Sequence, residues 1–202
     1  MNTKSILFCF LLGFTFIGHS QSDTAKKLLF IGNSLTYTND LPKLVEVNAK
    51  EKGIIIETTV VAYPNVGLED HWYGGSAQLL IKEGNYDYVI IQQGPSSQEY
   101  GSKSLLEFGK KFKKLCDKYH ARLAYFMVWP SKKNYYTYDD VIKNYTEAAT
   151  KNNAILCPVG EVWKAHFEKT NDFSYYGKDG FHPSLQGSQA AAEIIVKSLL
   201  LD

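Results

Sequence analysis

The chain has 202 residues, of which 45% are hydrophobic and 21% are charged, and its formal net charge is +1. This length suits one domain with a substantial core, and the hydrophobic content excludes a disordered, low-complexity chain. The near-zero charge argues against a nucleic-acid-binding protein, because such proteins normally carry a basic excess that neutralises phosphates.

The first 20 residues have the three-part pattern of a secretory signal peptide. Lys4 precedes an uncharged apolar run at 6–17, and small residues follow at 18–20. The run is about twelve residues long, whereas a membrane-spanning helix needs about 20. We therefore predict that residues 1–20 are removed and that the mature protein, residues 21–202, is exported to the periplasm or the extracellular space without a stable membrane anchor. A membrane anchor that is not cleaved is the alternative.

Short apolar runs alternate with helix-forming segments along the mature chain. In chain order, we predict a strand at 28–31, a helix at 42–52, a strand at 54–62, a helix at 76–82, a strand at 88–91, a helix at 102–119, a strand at 123–128, a helix at 139–151, a strand at 154–157, and helices at 162–168 and 184–200. Strands without polar alternation, each followed by a helix, favour a parallel sheet that is covered on both faces. The predicted fold class is therefore α/β: a three-layer α/β/α sandwich with a flavodoxin-like sheet of about five strands.

The mature chain contains two cysteines, Cys116 and Cys157. They have no CxxC spacing and no histidine cluster nearby, so the sequence predicts no metal site. An oxidising compartment would allow a disulfide between them, whereas their apolar neighbours equally suit two buried free thiols.

The loops that follow the predicted strands carry the reactive side chains. Gly-Asn-Ser-Leu-Thr at 32–36 follows the first strand, Asn-Val-Gly at 65–67 the second, and Gln-Gln-Gly at 92–94 the third. Asp-Gly-Phe-His-Pro at 179–183 precedes the last helix. In parallel α/β sheets the carboxyl ends of the strands form the ligand site, so we expect these loops to meet.

This combination of residue types is the one that acyl transfer requires. A serine such as Ser34 is a weak nucleophile until an imidazole, here His182, accepts its proton. The carboxylate of Asp179, three residues before His182, would orient the imidazole and stabilise its charge. The tetrahedral intermediate also needs donors at its oxyanion, which the N–H groups of Ser34 and Gly67 and a side-chain amide would supply.

The segments 32–36 and 179–183 resemble the nucleophile block and the closing DxxHP block of the SGNH, or GDSL-type, hydrolases. Their order and their positions beside the strands extend the resemblance over nearly all of residues 27–200. It implies a single SGNH-type hydrolase domain, with Ser34 as the nucleophile, His182 as the base and no cofactor or metal.

The chain departs from the usual family pattern at two places. Asn33 stands where the commonest motif has aspartate, a position that does not accept the proton. The third block, normally Gly-x-Asn-Asp, lacks its asparagine. Gln92 resembles the glutamine of subfamilies with a Leu-Gln third block, so we predict that it is the oxyanion donor, with Gln93 and Ser96 as alternatives.

The loop after the fourth predicted strand is rich in aromatic residues that could stack on sugar rings or line an acyl pocket, although packing explains them too. These residues, with two lysines among them, are Trp129, Lys132, Lys133, Tyr135, Tyr136 and Tyr138.

Together these features predict an exported serine esterase that hydrolyses small acyl esters, with an acetyl group on a carbohydrate as the substrate we favour. One alternative is a lipase or thioesterase for longer acyl chains, and another is a catalytically idle glycan-binding domain of the same fold. A third is a flavodoxin-like module in which Ser34, Thr36 and Thr38 hold a phosphate. That last hypothesis leaves Asp179 and His182 without a role.

Overall fold

The structure is a computed structural model that describes residues 25–201. The predicted signal peptide, residues 1–20, lies outside the described residues. Within the described range, none of the helices combines the length and the apolar character that crossing a membrane requires.

Five strands form one sheet in the order β2-β1-β3-β4-β5, and every adjacent pair is parallel. The strands are β1 (Lys26–Gly32), β2 (Ile56–Ala62), β3 (Tyr88–Ile91), β4 (Arg122–Phe126) and β5 (Ile155–Cys157). The predicted flavodoxin-like parallel sheet is therefore confirmed. Four consecutive residues of β1, from Leu28 to Ile31, are fully buried, because helices cover both faces of the sheet.

Eight helices accompany the sheet in the described residues. They are α1 (Ser34–Tyr37), α2 (Leu41–Glu51), α3 (Leu68–Gly74), α4 (Ser76–Glu83), α5 (Glu99–Lys118), α6 (Tyr138–Lys151), α7 (Val159–Thr170) and α8 (Leu185–Leu200). Short 3₁₀ turns lie at Thr38–Asp40 and Lys132–Thr137. Helix α2 packs on α8, while α5 packs on α3, α4 and α6.

Two tyrosines of the sheet show that these helix groups lie on opposite faces. The Tyr88 hydroxyl of β3 donates to the Leu199 carbonyl of α8, and the Tyr125 hydroxyl of β4 donates to the Leu105 carbonyl of α5. Tyr125 is aligned with Ile91, three residues after Tyr88 in β3. Residues an odd number apart in a strand point to opposite faces, which gives the predicted three layers.

The short elements and some boundaries differ from the prediction. Helices α1 and α3 were not predicted. The second strand begins at Ile56 rather than at residue 54, because the Ile54 N–H donates to the Ala49 carbonyl and closes the end of α2. The fourth strand ends at Phe126 rather than at residue 128.

Cys116 on α5 and Cys157 on β5 are buried free thiols, which is one of the two predicted alternatives. Burial raises the pKa of each thiol to about 12, since the charged thiolate is disfavoured away from water. Both side chains therefore act as small apolar core residues.

Candidate active site

Ser34 is the first residue of α1, directly after the end of β1. Asn33 fixes the backbone there, since its side-chain oxygen accepts from the Leu35 N–H at 3.1 Å and caps the helix. The Asn33 amide also donates to the Val66 carbonyl at 3.2 Å, across the gap to the loop after β2. The residue that replaces aspartate in the nucleophile block thus ties two strand-end loops together.

The structure brings the three predicted catalytic side chains into contact. The Ser34 Oγ atom lies 2.9 Å from His182 Nε2, although the two residues are 148 positions apart in the chain. His182 Nδ1 lies 2.6 Å from the Asp179 Oδ2 atom. In this arrangement the serine hydroxyl donates to Nε2, and the Nδ1–H group donates to the carboxylate.

The Asp179 carboxyl is held in its ionised form. The hydrogen bond from His182, with further bonds from the backbone N–H groups of Phe181 and His182, lowers the pKa of Asp179 from its ordinary value. A carboxylate that stays charged at neutral pH can select the imidazole tautomer and stabilise the imidazolium ion.

Every carbonyl of the segment 180–183, which contains His182, accepts a hydrogen bond. The donors, in order, are the Lys132 N–H at 2.7 Å, the Trp129 Nε1–H at 2.9 Å, the Gly177 N–H at 2.7 Å and the Asn39 side-chain amide at 3.0 Å. They come from the loop after β4, from the residues just before the segment, and from the turn after α1. The imidazole is therefore presented by a backbone that is fixed on several sides, which favours one productive geometry.

Gln92, which we predicted from the sequence as the oxyanion donor, is buried under the nucleophile loop. Its side chain is 1% exposed. Its Oε1 atom accepts from the Asn33 N–H and the Thr36 hydroxyl, both at 2.9 Å, and its amide donates to the Gln93 carbonyl. Its side-chain oxygen thus holds the base of the nucleophile loop, while its amide is bonded to the neighbouring backbone.

Gln93, one of the two alternatives, has a donor that remains available. Its Oε1 atom accepts from the Leu68 N–H at 2.8 Å, and its backbone N–H donates to the Tyr145 hydroxyl at 3.2 Å. No described residue accepts a hydrogen bond from its Nε2 amide group. The other alternative, Ser96, is buried and donates to the Gly94 carbonyl at 2.8 Å.

The two predicted backbone donors, the N–H groups of Gly67 and Ser34, differ in whether they already have an acceptor. The Gly67 N–H donates to Asp70 Oδ2 at 2.8 Å at the start of α3, so it is already used. The Ser34 N–H has no acceptor among residues 25–201. The donors available to an oxyanion are therefore the Ser34 N–H and the Gln93 amide.

The three hydroxyl groups that could have held a phosphate already have hydrogen-bond partners within the protein. The Thr36 hydroxyl is buried against Gln92, and the Thr38 hydroxyl donates to the Ser34 carbonyl at 2.7 Å. The Ser34 hydroxyl lies against His182, so none of the three hydroxyl groups is free to donate to a phosphate in this structure.

A cleft of ≈ 480 Å³ opens beside Phe181, the residue before His182, between the loops that follow β3 and β4. Its lining residues are Pro95, Ser97, Gln98, Pro130, Ser131, Asn134, Tyr136, Thr137 and Phe181. Of the aromatic residues that the sequence singled out, Trp129 and Tyr138 belong to the core, whereas Tyr136 lines the cleft and is 83% exposed. Trp129 stacks on Trp163 at a centroid distance of 3.6 Å.

No protein-family model matches the chain, and no curated protein matches it. Solved structures do match the chain. A protein assigned to the SGNH hydrolases from Slackia heliotrinireducens is 21% identical, with a TM-score of 0.73 over 87% of this chain and 99% of that one. A lipase/acylhydrolase from Enterococcus faecalis is 15% identical, with a TM-score of 0.68 over 85% and 94% of the two chains. A variant of an acetyl xylan esterase from Geobacillus stearothermophilus is 14% identical, with a TM-score of 0.65 over 88% and 95%.

Proposed function

The chain has the SGNH hydrolase fold, and we propose that it is a serine hydrolase of carboxylic esters. One observation carries the proposal: the hydrogen bonds that link Ser34 to His182 at 2.9 Å and His182 to Asp179 at 2.6 Å. Fold alone does not determine chemistry, but an ordered nucleophile, base and carboxylate at a strand end are the parts of an acyl-transfer site. The hydrolase and esterase names of the structural neighbours agree with it.

The reaction follows from the position of each atom. The Ser34 oxygen attacks the ester carbonyl carbon while its proton passes to His182 Nε2. The tetrahedral intermediate collapses when the carbon–oxygen bond to the alcohol breaks and Nε2–H protonates the departing alcohol. A water molecule, deprotonated by Nε2, then attacks the carbonyl carbon of the acyl-serine. The bond between this carbon and the Ser34 oxygen breaks, Nε2–H returns the proton to that oxygen, and the carboxylic acid leaves. The net change is ester plus water to acid plus alcohol, and Asp179 stabilises the imidazolium in both halves.

The oxyanion of both intermediates is stabilised by the Ser34 N–H and the Gln93 side-chain amide in this proposal. Each has a donor without an acceptor among the described residues, and Gln93 is held by Leu68 and Tyr145. Donors that are fixed before the reaction cost no reorganisation when the charge develops. Gln92 is assigned the structural task of supporting the Ser34 loop.

The substrate class that we propose is a small acyl ester, with acetyl as the acyl group. Ser34 and His182 are only partly buried, and five of the nine residues that line the nearby cleft have uncharged polar side chains, which suit a short acyl group better than a long chain. An acetyl xylan esterase is among the structural neighbours. The lipase/acylhydrolase neighbour keeps longer acyl chains as the competing hypothesis.

The test compares wild type with Ser34→Ala on p-nitrophenyl acetate, butyrate and octanoate. We expect acetate to be the best substrate by kcat/KM, and Ser34→Ala to lower kcat by at least about 10³-fold. Thermal unfolding of both proteins is the control, since the half-buried Ser34 lies outside the core and its loss should leave the fold intact. A preference for octanoate would favour the lipid hypothesis. The absence of Ser34-dependent turnover on all three esters would contradict the mechanism and favour a catalytically idle glycan-binding domain.

We also propose that the protein is exported after cleavage near residue 20. The proposal rests on the charge and apolar pattern of residues 1–20. N-terminal sequencing of the protein isolated from the periplasm or medium should then begin at about Gln21. A protein that keeps Met1 and stays in the membrane fraction would instead have an uncleaved anchor.

A further inference from the structure

The cleft beside Phe181 has a lining that combines polar and apolar side chains and carries no charged side chain. Its volume of ≈ 480 Å³ is in the range of sites for small molecules. Segments from three loops enclose it: 95–98 after β3, 130–137 after β4, and Phe181, which precedes the proposed base. The Phe181 ring links the cleft to the site, since its centroid lies 5.2 Å from that of the His182 ring.

Four of the lining side chains have hydrogen-bonding groups that no described residue uses. They are Ser97, Gln98, Ser131 and Asn134. By contrast, the Thr137 hydroxyl in the same lining donates to the Asn134 carbonyl at 2.8 Å. The free groups include both donors and acceptors, so they match a ligand with several hydroxyl groups.

Tyr136 adds an apolar surface to this polar lining. Its side chain is 83% exposed, whereas Tyr138 two residues later is 1% exposed and packed in the core. Core packing therefore does not account for the Tyr136 ring. An exposed aromatic face beside hydroxyl and amide groups suits a ring that has apolar C–H faces and polar edges.

The charged side chains near the cleft limit the class of ligand that it can bind. Lys132, in the same loop, is not part of the lining, and its ammonium group lies 4.6 Å from the centroid of the Phe173 ring. An anionic ligand would thus meet no cation in the lining. A long acyl chain would displace water from four polar side chains without offering them a hydrogen bond, which is unfavourable.

We propose that the cleft binds the alcohol part of the ester and that this part is a neutral glycan whose sugar ring stacks on Tyr136. The inference rests on the proposed ester hydrolase and specifies its leaving group. Tyr136 would determine specificity without taking part in the chemistry, since it contacts the leaving alcohol and not the reacting atoms.

Binding is tested in the Ser34→Ala background, so that an acetylated sugar persists. The probe is partially acetylated xylotriose, titrated by isothermal calorimetry. Adding Tyr136→Ala should raise the dissociation constant by about tenfold, the upper range for a lost aromatic contact. Tyr136→Phe should bind like the parent, because stacking needs only the ring. Tyr73→Ala is the matched control, since Tyr73 is 71% exposed on α3 and does not line the cleft.

Kinetics of the otherwise wild-type protein separate this inference from the proposed function. The ratio of kcat/KM for acetylated xylotriose to that for ethyl acetate should fall about tenfold in Tyr136→Ala and stay unchanged in Tyr73→Ala. Undetectable sugar binding, or equal affinity with and without the Tyr136 ring, would overturn the glycan site even if Ser34 proves essential for ester hydrolysis. A Tyr136→Ala defect confined to p-nitrophenyl octanoate would also overturn it, in favour of an acyl site. Tyr136-dependent sugar binding without any Ser34-dependent turnover would overturn only the hydrolase.

Discussion

Gln92 and Gln93 are chemically identical neighbours at the end of β3, and the backbone gives them different tasks. The Gln92 N–H continues the sheet by donating to the Ile31 carbonyl at 2.8 Å, and its side chain is buried under the Ser34 loop. Gln93 leaves the sheet, and its half-buried side chain lies beside Gly67. The sequence places both residues at the site but contains nothing that says which amide is free, because that depends on the strand's exact end.

Gln93→Glu tests this assignment with nearly unchanged shape. The carboxylate keeps an acceptor for the Leu68 N–H but loses the amide donor and places negative charge beside the oxyanion. We expect kcat to fall by about 10²–10³-fold, as for the loss of one oxyanion donor, with little change in the melting temperature. Steady-state kinetics on p-nitrophenyl acetate and thermal unfolding measure the two effects.

Gln92→Ala is the matched control, because we expect this variant to change mainly the stability of the protein. It leaves the Asn33 N–H and the buried Thr36 hydroxyl without an acceptor, so the free energy of unfolding should fall by about 1–3 kcal/mol. Full activity in Gln93→Glu would contradict its role as the oxyanion donor. A loss of kcat in Gln92→Ala without loss of stability would assign that role to Gln92.

At the scale of elements, the turn after α1 connects the two halves of the site. Asn39 and Asp40 both have positive φ angles, of 56° and 53°. Asparagine tolerates this left-handed conformation better than most residues. The Asn39 amide reaches the Pro183 carbonyl and the Ser188 hydroxyl, both at 3.0 Å, so the turn that follows the nucleophile holds the loop of the base.

The sequence predicts the strands and the long helices but misses two short helices, for a physical reason. Helix α5 has a clear apolar period, with Leu105, Phe108 and Phe112 buried, and its helical nature follows from that spacing. Helices α1 and α3 have four and seven residues, too few to establish a period. The bond between Asn39 and Pro183 joins distant segments, so no local pattern could reveal it.

Asn39→Gly isolates this connection, because glycine adopts the same positive φ and removes only the side chain. We expect kcat on p-nitrophenyl acetate to fall about tenfold as the His182 loop loses a fixed contact, with KM little changed. Asn153→Gly is the control, since Asn153 has a φ of 46° at the end of α6, near the opposite edge of the sheet. Equal kinetics in the two variants would show that the Asn39 side chain does not position His182.

At the scale of the molecule, the strand order determines where the site lies. β1 lies between β2 and β3, so the chain leaves β1 at the point where successive connections turn to opposite sides of the sheet. The nucleophile loop follows β1 and the glutamine pair follows β3, which places both at this crevice. The continuous apolar strands made the sheet and its reactive edge predictable. The free donors and the cleft were not predictable, because they depend on which polar groups pair with one another once the loops meet.

His71 couples the stability of this edge to pH. It lies on α3, is 3% exposed, and donates from Nε2 to the Gly32 carbonyl at 2.7 Å, immediately before the nucleophile loop. Burial lowers the pKa of His71, and this effect outweighs the hydrogen bond to Gly32, which favours the charged ring. In the unfolded chain the same histidine has its ordinary pKa of about 6.5.

The sign of the pH dependence follows from this difference. Below about pH 6.5 the unfolded chain binds a proton that folded His71 does not accept, so the free energy of unfolding falls until the lowered pKa is reached. Urea unfolding between about pH 7.5 and 5 should therefore show a steeper loss of stability in wild type than in His71→Gln, whose amide can still donate to the Gly32 carbonyl but does not titrate. Above about pH 7.5 the two curves should run parallel, because histidine is then neutral in both states. Parallel curves over the whole range would mean that folded His71 binds its proton as readily as the unfolded chain does.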